Sequence, residues 1–173
     1  NLESVSIPQI NYLRSSCFAG CTSLTKFEAD SLGGVSEGVF SGCSSIETFS
    51  FPKLSIIGDG TDSTSSEFSG CTSLKNFDAP NVTHIGPRSF MNCSSLENLY
   101  FPIATSIKLE AFKNCTSLKT IYCPLVTTLK NDAFTGCTSL EELNFTEQIT
   151  VSYKAFETAF TAGKVVFNNP KTI

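Results

Sequence analysis

Ala111-Phe112-Lys113-Asn114-Cys115-Thr116-Ser117-Leu118 decides how this chain is read, because the same pattern returns along its length. One period earlier stands Ser89-Phe90-Met91-Asn92-Cys93-Ser94-Ser95-Leu96, and one period later Ala133-Phe134-Thr135-Gly136-Cys137-Thr138-Ser139-Leu140. The column cysteines are Cys21, Cys43, Cys71, Cys93, Cys115 and Cys137, spaced by 22, 28, 22, 22 and 22 residues. Self-similarity at a period of this size is the signature of a repeat architecture.

With each Cys as origin, the other columns fall into place. Three residues before it stand Phe18, Phe40, Phe68, Phe90, Phe112 and Phe134, and three after it Leu24, Ile46, Leu74, Leu96, Leu118 and Leu140. Six after come Phe27, Phe49, Phe77, Leu99, Ile121 and Leu143, and eight after Ala29, Phe51, Ala79, Phe101, Cys123 and Phe145. Fourteen after come Val35, Ile57, Ile85, Ile107, Leu129 and Val151. The whole of 1–173 therefore reads as one repeat domain. A partial first coil occupies 1–20, and a degenerate last coil occupies 159–173, where Ala159 replaces the Cys. Degenerate terminal repeats are usual in such arrays. The 28-residue spacing marks a six-residue insertion within Asp59–Ser66, whose Asp, Gly, Thr and Ser content belongs to a loop.

Columns six and eight alternate with polar residues, which predicts a short strand with one buried face. Pro52, Pro80, Pro102 and Pro124 follow and end it. The segment leading into each Cys, such as Ser89 to Asn92, is expected to form one turn of helix. Gly20, Gly42, Gly70, Asn92, Asn114 and Gly136 precede the Cys, and Gly and Asn tolerate the left-handed backbone that ends such a turn. No coil can fold alone: ordering 22 residues costs roughly 20–40 kcal/mol, while burying its apolar side chains returns only about 10–20. Neighbouring coils must supply the rest, so the fold is a solenoid of eight parallel strands about 4.8 Å apart, roughly 34 Å long. In-register stacking also places Glu47, Lys75, Glu97, Lys119 and Glu141 in one ladder of alternating sign, which favours that register. Core volumes compensate as well: Ala29 and Ala79 accompany Phe27 and Phe77, whereas Phe101 and Phe145 accompany Leu99 and Leu143; Phe49 with Phe51 and Ile121 with Cys123 break the rule.

Composition excludes several classes. The chain has 173 residues, a formal net charge of −4 and 40% hydrophobic content, which argues against disorder. A pI near 5.0 argues against a nucleic-acid partner, which would need clustered Lys and Arg. No apolar run reaches the roughly 20 residues of a membrane span, so this segment is not expected to insert into a bilayer. The sequence begins at Asn1 without a signal-peptide pattern.

The eight cysteines could form a disulfide framework, but six share one core column and Cys17 and Cys123 also fall in core columns. Free thiols packed as small hydrophobes are expected, with Cys17 and Cys21 the pair best placed to be an exception. A lone C-x-x-x-C with a single distant His84 is not a zinc cluster, so no metal or other cofactor is expected. The His84 column also holds Gly34, Ile56, Ser106, Thr128 and Thr150, which predicts an exposed position. No nucleophile and acid accompany it, so the chain is not expected to be an enzyme. N-x-S/T sequons begin at Asn81, Asn92, Asn114 and Asn144, but the turn geometry and the repeat already account for Asn92 and Asn114. The 59–66 insertion is a solvated loop or, alternatively, a weak calcium site without EF-hand spacing.

The exposed strand face is where recognition could reside. Residues five and seven after each Cys point away from the core, and there Tyr100 and Tyr122 would stack in adjacent coils, among Asp78, Asn98, Thr120 and Asn144. Tyr is favoured at binding interfaces; the alternative is a cross-strand pair that only stabilises the sheet.

The columns resemble the leucine-rich repeat, and more closely its BspA-like subclass, through Phe77-Asp78-Ala79-Pro80-Asn81-Val82-Thr83-His84-Ile85-Gly86 and Ala111-Phe112-Lys113-Asn114-Cys115-Thr116-Ser117-Leu118. The resemblance implies an α/β-type solenoid of 22-residue coils, with short parallel strands in one concave sheet and turns and single-turn helices opposite. It also implies a cell-surface or secreted protein of a host-associated microbe, acting in adhesion. Its partner would be a protein, of host extracellular matrix or another cell surface, and the chain a monomer. The alternative is a passive spacer within a larger surface protein. The acidic insertion departs from the family pattern, as does the lack of sorting or anchoring segments at either end.

Overall fold

The computed structural model describes residues 1–58, 65–146 and 148–159, and the backbone of the strand Lys164–Phe167. Among them are two parallel sheets and no helix. The longer strands are Ser4–Ser6, Lys26–Glu28, Thr48–Ser50, Asn76–Asp78, Asn98–Tyr100, Thr120–Tyr122, Glu142–Phe145 and Lys164–Phe167. Each contains column six, whose side chain is buried between two exposed neighbours in the fully described central coils. Pairing is in register at one repeat, as in Tyr122 opposite Tyr100, and at 28 residues across the insertion, as in Asn76 opposite Thr48. All eight expected strands are present, but their ladder is interrupted into groups of two, two and four.

The second sheet was not anticipated. It consists of two-residue strands, Tyr12–Leu13, Gly34–Val35, Ile56–Ile57, His84–Ile85, Ser106–Ile107, Thr128–Leu129 and Thr150–Val151, in one continuous seven-stranded ladder. The column fourteen residues after Cys supplies its buried member in each of the five central coils.

The expected helical turn is instead a pair of tight turns. The amides of Arg88, Phe90 and Asn92 donate to the carbonyls of Leu109, Ala111 and Lys113 in the next coil. With their amides pointing along the solenoid axis, these residues cannot make the i→i−4 bonds of a helix. The geometry requires two left-handed residues per coil. One is the expected position before Cys, with Asn92 at φ 63° and Asn114 at φ 61°. The other, five before Cys, is occupied by Ser16, Gly38, Ser66, Arg88, Glu110, Asp132 and Lys154.

Core columns fill the space between sheets and turns. Seven Phe rings from Phe18 to Phe156 form one stack, with successive centroids 5.3–5.7 Å apart and interplanar angles of 7–13°. Phe27, Phe49 and Phe77 meet this stack edge-on or tilted. Five thiols add a hydrogen-bonded column: Cys43, Cys71, Cys93, Cys115 and Cys137 donate to the carbonyls of Phe18, Phe40, Phe68, Phe90 and Phe112, at 3.0–3.2 Å. Every cysteine is free. Cys17 departs from expectation by being exposed; within the described residues its coil packs against one neighbouring coil. For the same reason Phe18 and Cys21 are only partly buried. Residues 59–64 of the 59–66 insertion and most of the last coil (160–163 and 168–173) lie outside the described residues.

Candidate recognition surface

The alternation that buries column six drives columns five and seven outward, so each coil presents two side chains at fixed spacing. On this face Lys26 pairs with Glu28 at 2.6 Å, and the Ser50 hydroxyl donates to Asp78 Oδ2 at 3.3 Å. The flanking column-four ladder forms two of its possible ion pairs, Lys75–Glu47 at 3.0 Å and Lys119–Glu97 at 2.9 Å. These pairs hold Glu97 below the usual carboxylate range and Lys119 above the usual amine range, chiefly through the charge-assisted hydrogen bond they share. Both are solvent-exposed, so salt screens them and they add little to stability.

Tyr100 and Tyr122 stack in parallel, with centroids 5.1 Å apart and planes 10° from coincidence. They are 56% and 51% exposed, so most of their area remains in water. Beside them the Thr120 hydroxyl donates to Asn98 Oδ1 at 2.7 Å. Asp78, Asn98, Tyr100, Thr120 and Tyr122 all border one open depression of about 430 Å³. Asn144 follows Tyr122 in register, but its side chain lies outside the described residues.

A second depression, of about 380 Å³, lies on the short-strand sheet between Tyr12 and Ile56. The sequence reading missed it. The Tyr12 ring lies over Gly34, where a Cβ would come within 2.9 Å of Tyr12 Cδ2. A Gly between an aromatic and an Ile in one column was the available signal, hidden because that column shows no consistent chemistry. His84, in the same column, is half-buried rather than exposed, and its Nδ1 lies 2.9 Å from the Thr83 hydroxyl.

The chemistry of the remaining candidates is quiet. Burial pushes the Cys43 thiol up to about 11 and those of Cys93, Cys123 and Cys137 up to about 12. Such thiols are protonated at neutral pH and poor nucleophiles. Among the described residues no group of three or more His, Cys, Asp or Glu could hold a metal ion, and no helix is long and apolar enough to cross a membrane. Asn81 is exposed and its amide donates to the Pro52 carbonyl at 2.7 Å.

The chain resembles a leucine-rich repeat protein from Eubacterium ventriosum (TM-score 0.72, 20% identity, covering 92% of this chain and 46% of that one). It also resembles the T. pallidum leucine-rich repeat protein (TM-score 0.69, 19% identity, covering 98% and 71%). A third similar structure is a Bacteroides ovatus leucine-rich repeat protein (TM-score 0.55, 24% identity, covering 96% and 54%). At these identities the likeness concerns the fold, and the chain spans about half the length of the first and third. No curated protein matches it. The profile of the BspA type leucine-rich repeat region matches six copies, over residues 1–63 and 61–162. With the repeat columns and stacked coils in place, the chain belongs to the BspA-type leucine-rich repeat family.

Proposed function

We propose that this chain is a non-enzymatic recognition module of a cell-surface or secreted protein, binding a protein ligand on the outward face of its long-strand sheet. The observation that carries the reading is the exposed, stacked pair Tyr100 and Tyr122. Rigid aromatic area left in water beside polar neighbours is the composition of an interface anchor, and such anchors account for most of the binding energy of an interface. A pair serving the sheet alone gains about 0.2–1 kcal/mol from cross-strand contact, which needs no such exposure.

The surrounding residues fit a polar rim. Asp78, Asn98 and Thr120 offer a carboxylate, an amide and a hydroxyl within the same depression, and Asn144 continues the column beyond Tyr122. The partner is a component of host extracellular matrix or of another cell surface, and the module acts as a monomer in adhesion. The six buried thiols, held protonated by their surroundings, are poor nucleophiles, which supports the non-enzymatic reading.

Binding of the 173-residue chain to immobilised extracellular-matrix proteins, compared with an albumin surface, separates recognition from spacing. Saturable binding to a matrix protein is expected. Equal, non-saturable retention on every surface would favour the spacer reading.

A further inference from the structure

Tyr100 has two ring faces, and only one is covered by Tyr122. The other is turned toward the preceding coil, where column seven holds Asp78 rather than an aromatic. The depression of about 430 Å³ runs along both sides of Tyr100, from Asn76 and Asp78 past Asn98 to Thr120 and Tyr122, over the buried Phe77 and Leu99. The geometry points to a saccharide subsite: one neutral pyranose, stacked on the free face of Tyr100 and held by Asp78, Asn76 and Asn98. This inference rests on the reading of this sheet face as a recognition surface, and specifies the ligand chemistry of one part of it.

A pyranose ring presents a face of C–H groups and an edge of hydroxyls, each both donor and acceptor. The electron-rich face of Tyr suits the first. Vicinal hydroxyls need an acceptor and a donor side by side, and an ionised carboxylate next to a primary amide supplies both. Asp78 spends one oxygen on a long 3.3 Å contact with Ser50, which leaves most of its accepting capacity. Thr120 occupies Asn98 Oδ1 at 2.7 Å, which fixes the amide plane and leaves its amino end as a donor. Aromatic wall, fixed amide and carboxylate converge in one concavity, the composition of a small-ligand site.

The charge of the site selects among sugars. Among the described residues Asp78 is the only charged one that lines the depression, and the nearby Lys75 is engaged by Glu47. An anionic sugar would meet an uncompensated carboxylate, so sialic and uronic acids are disfavoured relative to neutral hexoses.

Saturation-transfer NMR on the full chain, with methyl β-D-glucoside, methyl β-D-galactoside, methyl α-D-mannoside and N-acetylglucosamine, tests this. At ordinary ligand efficiency one monosaccharide binds with a dissociation constant on the order of 1 mM. Transfer to the C–H protons of at least one glycoside is expected, weakened about tenfold or more by Tyr100→Ala and by Asp78→Asn, and unchanged by Thr48→Ala. Silence from all four sugars at about 10 mM, or equal binding by Asp78→Asn, would overturn the subsite. Capture of a matrix protein and of its enzymatically deglycosylated form alike, with the glycosides silent, would overturn the subsite and leave the protein-binding reading standing. Glycoside binding without capture of any matrix protein would do the reverse.

Discussion

The thiol of Cys115 donates to the carbonyl of Phe90 at 3.0 Å, and that same oxygen receives the amide of Cys93 at 3.1 Å. One acceptor thus closes the turn of its own coil and binds the next coil to it. Cys115→Ala removes a fully buried sulfur and the inter-coil donor together, and should cost about 1–3 kcal/mol in urea unfolding. A loss below about 0.5 kcal/mol would show the sulfur to be dispensable. The same burial predicts that native protein yields at most Cys17 and Cys21 to a thiol reagent, while denatured, unreduced protein yields all eight thiols. A denatured count near zero would mean a disulfide framework.

Phe90 sits between Phe68 and Phe112 at 5.3 and 5.4 Å, with no exposure. Phe90→Ala should cost about 3–5 kcal/mol, since the coils on either side cannot close on the void without breaking their ladders. Phe156 is half-buried at the end of the stack, and its truncation should cost visibly less. Equal losses at both sites, measured by chemical denaturation, would contradict a core built as one continuous column.

Alkaline pH should unfold the protein sharply. Burial raises the folded-state thiols of Cys43, Cys93, Cys123 and Cys137 to about 11–12, above the roughly 8.5 of an unfolded chain. Their contribution is fully present below that lower value and is lost as pH rises toward the higher one. The slope is at most about 1.4 kcal/mol per pH unit for each of Cys93, Cys123 and Cys137, and less for Cys43, whose surroundings are more open to solvent. Cys71 and Cys115 are shifted in the same direction, so their contributions are lost over the same range. Melting temperature, followed in a non-thiol reductant, should be level up to about pH 8 and fall steeply above 9. A level profile to pH 10.5, about two units above the unfolded thiol, would contradict it.

Asn114 holds φ 61° while its amide donates to Asn92 Oδ1 at 3.0 Å. Asn114→Gly keeps the backbone geometry at little cost, whereas Asn114→Ala should lose about 1–2 kcal/mol to left-handed strain. Circular-dichroism melts of the two variants should separate by several degrees. Coincident melts would show the position to be unstrained.

The Phe and Cys columns were legible because packing against identical neighbours imposes identical side chains at each turn of the solenoid. The same logic explains what was hidden. The left-handed site held by Arg88, Glu110 and Asp132 is imposed by an inter-coil backbone bond, so no side-chain type marks it. The short-strand sheet has two residues per strand, too few for alternation to register as a pattern. The helical turn was expected because a Gly or Asn commonly ends one; here that residue reverses a chain whose amides already serve the next coil. At the candidate site, the stack of Tyr100 on Tyr122 followed directly from register. The Thr120–Asn98 bond that orients the amide depends on side-chain conformation, which spacing does not encode.

The proposal of a recognition face centred on Tyr100 and Tyr122 is tested most directly by the double substitution Tyr100→Ser/Tyr122→Ser. Its binding to the matrix protein that the wild-type chain captures is measured alongside its melting curve. Neither ring fills the core, so melting should fall by no more than a few degrees, in keeping with roughly 1 kcal/mol of lost cross-strand stacking. Binding should weaken by about a hundredfold or more, since each anchor is worth on the order of 2 kcal/mol. Unchanged affinity with preserved melting would place the recognition surface elsewhere, and collapse of the fold would make the pair a structural element of the sheet.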